Sequence, residues 1–123
     1  GVSNDLRQVQ QAAAEGERRA ELALDLYAYR IRKYLGAYLA ALGRAEAVVF
    51  TGGVGEHSSQ MRRRILEPLA GLGMALDLER NLAGEGEREI SREGSPIRLL
   101  VIPTNEELVI ARDTRDMVQA TSR

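Results

Sequence analysis

Leu24, Tyr27, Ile31, Leu35, Tyr38 and Leu42 recur at steps of three and four residues, the spacing that lines one face of a helix with apolar side chains. A helix is predicted there, with Gly43 in the place of a C-cap glycine. Ahead of it, Asp5 to Ala14 carries a weaker helical pattern, with Ser3 or Asn4 placed to cap it and Glu15-Gly16-Glu17 to end it. Behind it the period changes. Ala45 to Phe50 is a short β-rich apolar run without alternation, which predicts a strand covered on both faces, as in a parallel sheet. The chain then enters Thr51-Gly52-Gly53-Val54-Gly55-Glu56-His57 and a third helix from about Ser58 to Leu69. Met61, Ile65, Leu66 and Leu69 are expected to face inward there, and Arg62, Arg63 and Arg64 mostly outward. Pro68 to Gly73 breaks that helix.

From Leu72 to Arg98 the pattern is weak and rich in glycine and acids, and reads as a surface connection with one or two short strands. Ile97 to Ile102 is a second strand of the buried type, stopped by Pro103. Thr104-Asn105-Glu106-Glu107 has the Thr-x-x-Glu form of a capping box, and Leu108, Val109, Ala111 and Met117 continue as a helix before Gln119 to Arg123 frays. Strands alternating with helices over short loops predict an α/β layered fold with some parallel pairing.

Composition narrows the function. The 123 residues amount to about one domain, and 44% apolar with 28% charged residues is the profile of a chain that buries a core. Eighteen acids against seventeen bases leave a net charge of -1, so no general field draws nucleic acid or an anionic membrane, and any anion is bound locally. No apolar run approaches the roughly 18 residues of a spanning helix. The absence of cysteine excludes disulfides, thiolate zinc sites and iron–sulfur clusters, and fits a cytoplasmic protein. Lys33 is the sole lysine and His57 the sole histidine, which disfavours lysine-based phosphate loops and hydrolase triads. The opening Gly1-Val2-Ser3-Asn4-Asp5, with no initiator methionine, reads as a cut through a larger protein or as an artificially trimmed chain.

The strongest local signal is the strand Val48-Val49-Phe50 running through Thr51-Gly52-Gly53-Val54-Gly55 into a helix. Such a turn can aim backbone N–H groups and the positive end of a helix at one anion, while glycines let phosphates approach the backbone. The same glycines equally serve any tight turn, and the spacing matches neither a Walker A loop nor the dinucleotide fingerprint. Glu106 stands just past the second strand. If the two strands are parallel neighbours, it shares a sheet edge with the glycine turn, where a carboxylate could hold magnesium or simply favour the start of a helix. His57 could contact phosphate or serve as a polar helix-start residue. Arg62, Arg63 and Arg64 read as a solvated face, and Tyr27, Tyr34 and Tyr38 as packing residues with a possible role at a subunit contact.

Three separated motifs in order resemble the C-terminal part of acetate kinase: Thr51 to Glu56; Leu72 to Asp77 with Glu79-Arg80-Asn81; and Val101 to Thr114. Ser3-Asn4-Asp5-Leu6-Arg7 is similar to that family's Ser-x-Asp-x-Arg segment, and Ile31 to Tyr38 to its long helix. Propionate kinases share these motifs. The resemblance implies a partial ribonuclease H-like C-terminal domain of the actin-like ATPase superfamily, with an incomplete mixed sheet, flanking helices and an exposed strand edge. Residues 1–123 would form the nucleotide-binding portion of a larger two-domain enzyme. That enzyme transfers phosphate between ATP and acetate, giving acetyl phosphate and ADP, with magnesium. Asp5, Leu6 and Arg7 would lie by the adenosine, Gly53, Val54, Gly55, Glu56 and His57 by the phosphates, and Glu106 would bind magnesium. At His57 the family pattern commonly has asparagine. No catalytic residue is expected in this chain, since the groups that hold acetate belong to a missing N-terminal part. A homodimer is implied as well.

Overall fold

The structure, a computed structural model, describes residues 6–104. Helix α1 (Leu6–Ala14) and the 25-residue α2 (Arg18–Leu42) lead into strand β1 (Ala47–Phe50). A one-turn helix α3 (Gly53–His57) and α4 (Ser59–Leu66) follow, and α4 tightens into a 3-10 helix over Glu67–Leu72. After α5 (Leu78–Leu82), strands β2 (Arg88–Glu89) and β3 (Arg98–Val101) complete the described residues. The predicted helix beyond Thr104 lies outside them.

β3 is central. It pairs parallel with β1, from Ala47↔Arg98 to Phe50↔Val101, and antiparallel with β2, with Arg88↔Val101 and Glu89↔Leu100. This small mixed sheet agrees with the expected sheet class, and among the described residues β1 forms one of its edges. Phe50, Leu99 and Val101 join Met61, Ile65, Leu66, Leu69 and Ile90 in the buried core. The prediction that the first strand is covered on both faces is corrected. Phe50 is buried and Val48 half-buried, but Val49, pointing the other way, is 47% exposed, because among the described residues only one face of β1 meets the helices.

α2 packs against α1 and α4 through Ala20, Leu24 and Ala28, with Ile31, Leu35 and Leu39 continuing the line. Gly43 caps it as predicted, its N–H donating to the Leu39 carbonyl at 2.9 Å. Among the described residues the tyrosines are not in the core: Tyr27, Tyr34 and Tyr38 are all exposed, and the last two stack on each other. Each precedes an inward position, Ala28, Leu35 or Leu39, by one residue, a rotation of about 100° around the helix.

The break after α4 is a 3-10 turn with Pro68 in its first turn and Gly73 at its end. Gly73 has φ +94°, a left-handed conformation that favours glycine, so the stop needs glycine for its backbone rather than for space. The connection to β3 holds more order than its sequence suggests. Asp77 caps α5 by accepting from the Arg80 N–H at 3.0 Å, a local signal that glycine and charge content obscured.

Candidate functional site

Because β1 and β3 run parallel, the segments leaving their C-terminal ends emerge side by side. The Ile102 N–H donates to the Phe50 carbonyl at 2.9 Å, extending the ladder by one rung. Just beyond, Glu56 Oε2 accepts from the Thr104 N–H at 3.1 Å and lies 3.3 Å from its hydroxyl. The two motifs that the sequence separates by almost fifty residues are thus tied together. Gly52 turns the chain with φ +70° and ψ 154°, a conformation open essentially to glycine. Gly53 to His57 then forms one helical turn, closed by Glu56 N–H to Gly52 C=O at 3.0 Å and Ser58 N–H to Val54 C=O at 2.9 Å.

Ser58 ends that turn and starts the next helix. Its extended backbone breaks the helical path, and its hydroxyl accepts from the Met61 N–H at 3.1 Å as an N-cap. The same hydroxyl accepts from Gln10 Nε2 at 2.7 Å, which fixes the first turns of α1 against the start of α4. Between them opens a cavity of about 770 Å³ lined by Leu6, Arg7, Gln10, Gly53, Val54, His57 and Ser58 to Gln60. That volume is in the range of small-molecule and cofactor sites.

Of the residues expected near a nucleotide, Leu6, Arg7, Gly53, Val54 and His57 line this one cavity. Gly55 and Glu56 stand behind it. A Cβ on Gly55 would meet Phe50 at 3.5 Å, and Glu56 is occupied by Thr104 while borderings a separate 560 Å³ cavity with His57, Arg62, Asn81 and Arg88. Asp5 and Glu106 lie outside the described residues. Among the described residues no group of three or more His, Asp or Glu side chains could hold a metal ion. The cavity's cationic groups are Arg7 and, when protonated, His57, whose Nε2 stands 3.6 Å from Glu56.

The sequence reading missed Arg62. Expected on a solvated face, it is 2% exposed and reaches the backbone of the glycine turn. Its position carried a signal: Ile65 and Leu66 follow at three and four residues, which places Arg62 on the buried stripe of α4. Burial of the guanidinium, together with the charge of Arg88, lowers its pKa to about 10, so it keeps its charge at neutral pH. Arg64 also departs from a free surface position, pairing with Glu21 and Asp25 across α2; only Arg63, bonded to Glu67, stays on the outside of the helix.

Fold and cavity define an α/β unit in which a strand, a glycine turn and a helix face one pocket. The Acetokinase family matches residues 1–112, and the chain belongs to that family. Acetate kinase of Methanosarcina barkeri is 49% identical over 123 residues, covering 100% of this chain and 30% of that protein. The chain therefore spans about 30% of the length of the relatives it matches. In crystal structures, acetate kinase of Porphyromonas gingivalis matches with a TM-score of 0.82 at 42% identity, over 96% of this chain and 30% of that one. A propionate kinase of Francisella tularensis matches with a TM-score of 0.76 at 39% identity, over 88% of this chain and 27% of that one. Among the described residues no helix is long and apolar enough to cross a membrane.

Proposed function

We propose that this chain is the C-terminal, nucleotide-binding portion of an acetate kinase, a partial ribonuclease H-like domain of the actin-like ATPase superfamily. The observation that carries the reading is the 770 Å³ cavity between the start of α1 and the glycine turn, which gathers Leu6, Arg7, Gly53, Val54 and His57 from two separated segments of the chain. Asp5, Leu6 and Arg7 take the adenosine side. The turn from Gly53 to His57 takes the phosphates, with backbone N–H groups as donors and its glycines allowing close approach. Glu106, following β3, supplies a carboxylate to magnesium, an ion that binds through few carboxylates plus phosphate oxygens and water.

The reaction assigned to the whole enzyme moves phosphate between ATP and acetate, with acetyl phosphate and ADP as the other pair. Phosphoryl transfer depends on positioning and charge neutralisation more than on covalent chemistry. This chain contributes the nucleotide half of that arrangement, and the groups that hold acetate come from the rest of a full-length, cytoplasmic, homodimeric enzyme. The exposed Tyr27, Tyr34 and Tyr38 on α2 are the candidate contact between copies. The acetate kinases that match the chain at about 50% identity support acetate as the acceptor; propionate is the alternative, since no residue described here reads the acyl chain.

Calorimetry with magnesium-ATP, paired with hydroxamate formation from acetate and ATP, tests the reading on this chain. Binding without turnover is expected. No binding rejects the nucleotide assignment, and turnover rejects the division of labour between the two halves.

A further inference from the structure

Arg62 carries a charge in the core, with no carboxylate partner among the described residues. It is 2% exposed, and its four hydrogen bonds all end on neutral oxygens. Nε donates to Asn81 Oδ1 at 2.8 Å and Nη2 to the Asn81 carbonyl at 2.9 Å; Nη1 donates to the Gly55 carbonyl at 3.0 Å and the Glu56 carbonyl at 2.9 Å. A buried guanidinium without a counter-ion is costly, and an apolar side chain would fill this place in the stripe of α4 at lower cost. What the guanidinium supplies that an apolar group cannot is a pair of donors for two carbonyls at the end of a five-residue helical turn, where carbonyls have no partner within the helix.

We propose that Arg62 is a positioning residue for the glycine turn: it clamps the Gly55 and Glu56 carbonyls from behind and so fixes the direction in which the turn meets the cavity. The inference rests on the reading of that turn as the nucleotide's phosphate contact. In a trans peptide the C=O of one residue and the N–H of the next point in opposite directions. Holding the Glu56 carbonyl on Arg62 therefore also sets the His57 N–H, which in this helical turn points back toward Gly53 and the start of the turn. Asn81 holds the clamp in turn, since its Nδ2 donates to the Ser59 carbonyl at 2.9 Å. α3, the first turn of α4 and α5 are locked around one side chain.

Backbone amide exchange on this chain separates the role from simple core stability. In Arg62→Lys, which keeps the charge but loses the planar fork, the Glu56 and Ser58 amides are expected to exchange at least about tenfold faster, while the core Ile90 amide changes by less than about threefold. Magnesium-ADP affinity is expected to fall about tenfold alongside. Uniform acceleration at all three amides overturns the proposal, as does unchanged exchange at residues 56 and 58. If Arg62→Lys does not fold, Asn81→Ser, which loosens Arg62 without touching the turn, is judged by the same three amides. Failure of the unmodified chain to bind nucleotide rejects the nucleotide reading, whereas the exchange pattern decides the clamp independently.

Discussion

Glu56 and Thr104 are joined by the side chain of the first and the main chain of the second, with Glu56 Oε2 accepting the Thr104 N–H at 3.1 Å. The Thr104 hydroxyl, 3.3 Å from the same oxygen, adds a second contact. One carboxylate thus holds the segment after β3 against the turn after β1. Glu56→Ala is expected to lower stability by about 1–3 kcal/mol, the usual cost of losing hydrogen bonds to a charged group. Glu56→Gln, which retains an acceptor, is expected to lose less. Urea denaturation of the two variants decides, and equal losses would mean that the acceptor is not what matters.

Ser58 has two partners on one oxygen, the Met61 amide within α4 and Gln10 on α1. Ser58→Ala is expected to cost about 1–2 kcal/mol, at or above an ordinary N-cap. Gln10→Ala removes only the link between helices and is expected to cost less. Should both variants match the unmodified protein in denaturant midpoint, the cavity wall is not held by this residue.

Gly52 and Gly55 predict opposite tolerances within one turn. At Gly52 the backbone angles strain any L-residue, so Gly52→Ala is expected to cost about 1–3 kcal/mol and to weaken nucleotide binding. At Gly55 the backbone is helical and an added Cβ meets Phe50 at ordinary contact distance, so Gly55→Ala is expected to stay within about 1 kcal/mol. A thermal melt that ranks them the other way would contradict the described turn.

Glu89 sits diagonally across from Arg98 on neighbouring antiparallel strands, 2.7 Å from its Nε. The hydrogen bond from Arg98 holds its carboxyl below the usual value of 4.5. The folded state therefore releases this proton more readily than the unfolded one, and the resulting stabilisation is present above pH 4.5 and lost as pH falls through the folded value. On acidification below that point the unmodified protein should lose stability more steeply than Glu89→Gln. Because the pair is exposed, the difference should shrink in high salt; parallel acid titrations of the two proteins would remove Glu89 from the account.

Several elements were legible in the chain for local reasons. Gly43 ends α2 where the pattern placed a cap, and the two apolar runs became parallel strands whose ends share one edge. Other features were not legible, because neighbours distant in sequence decide them. Val49 looks like a core residue, yet it lies on the side of β1 away from the described helices. Tyr27, Tyr34 and Tyr38 follow helical spacing, yet sit one residue out of phase with the inward line.

The sequence by itself determined the periodic helices, the two β-rich runs, the glycine turn that follows the first of them and the motifs of the acetokinase family, since each depends on residues close together in the chain. Tertiary structure decided that β1 and β3 pair in parallel, that Glu56 reaches Thr104, that α1 closes the cavity through Gln10 and Ser58, and that Arg62 turns inward. The links of Gln10 to Ser58 and of Glu56 to Thr104 each span 48 residues and the Arg62–Asn81 pair spans 19, and charge patterning along one helix cannot reveal that a buried arginine will find four oxygens waiting for it.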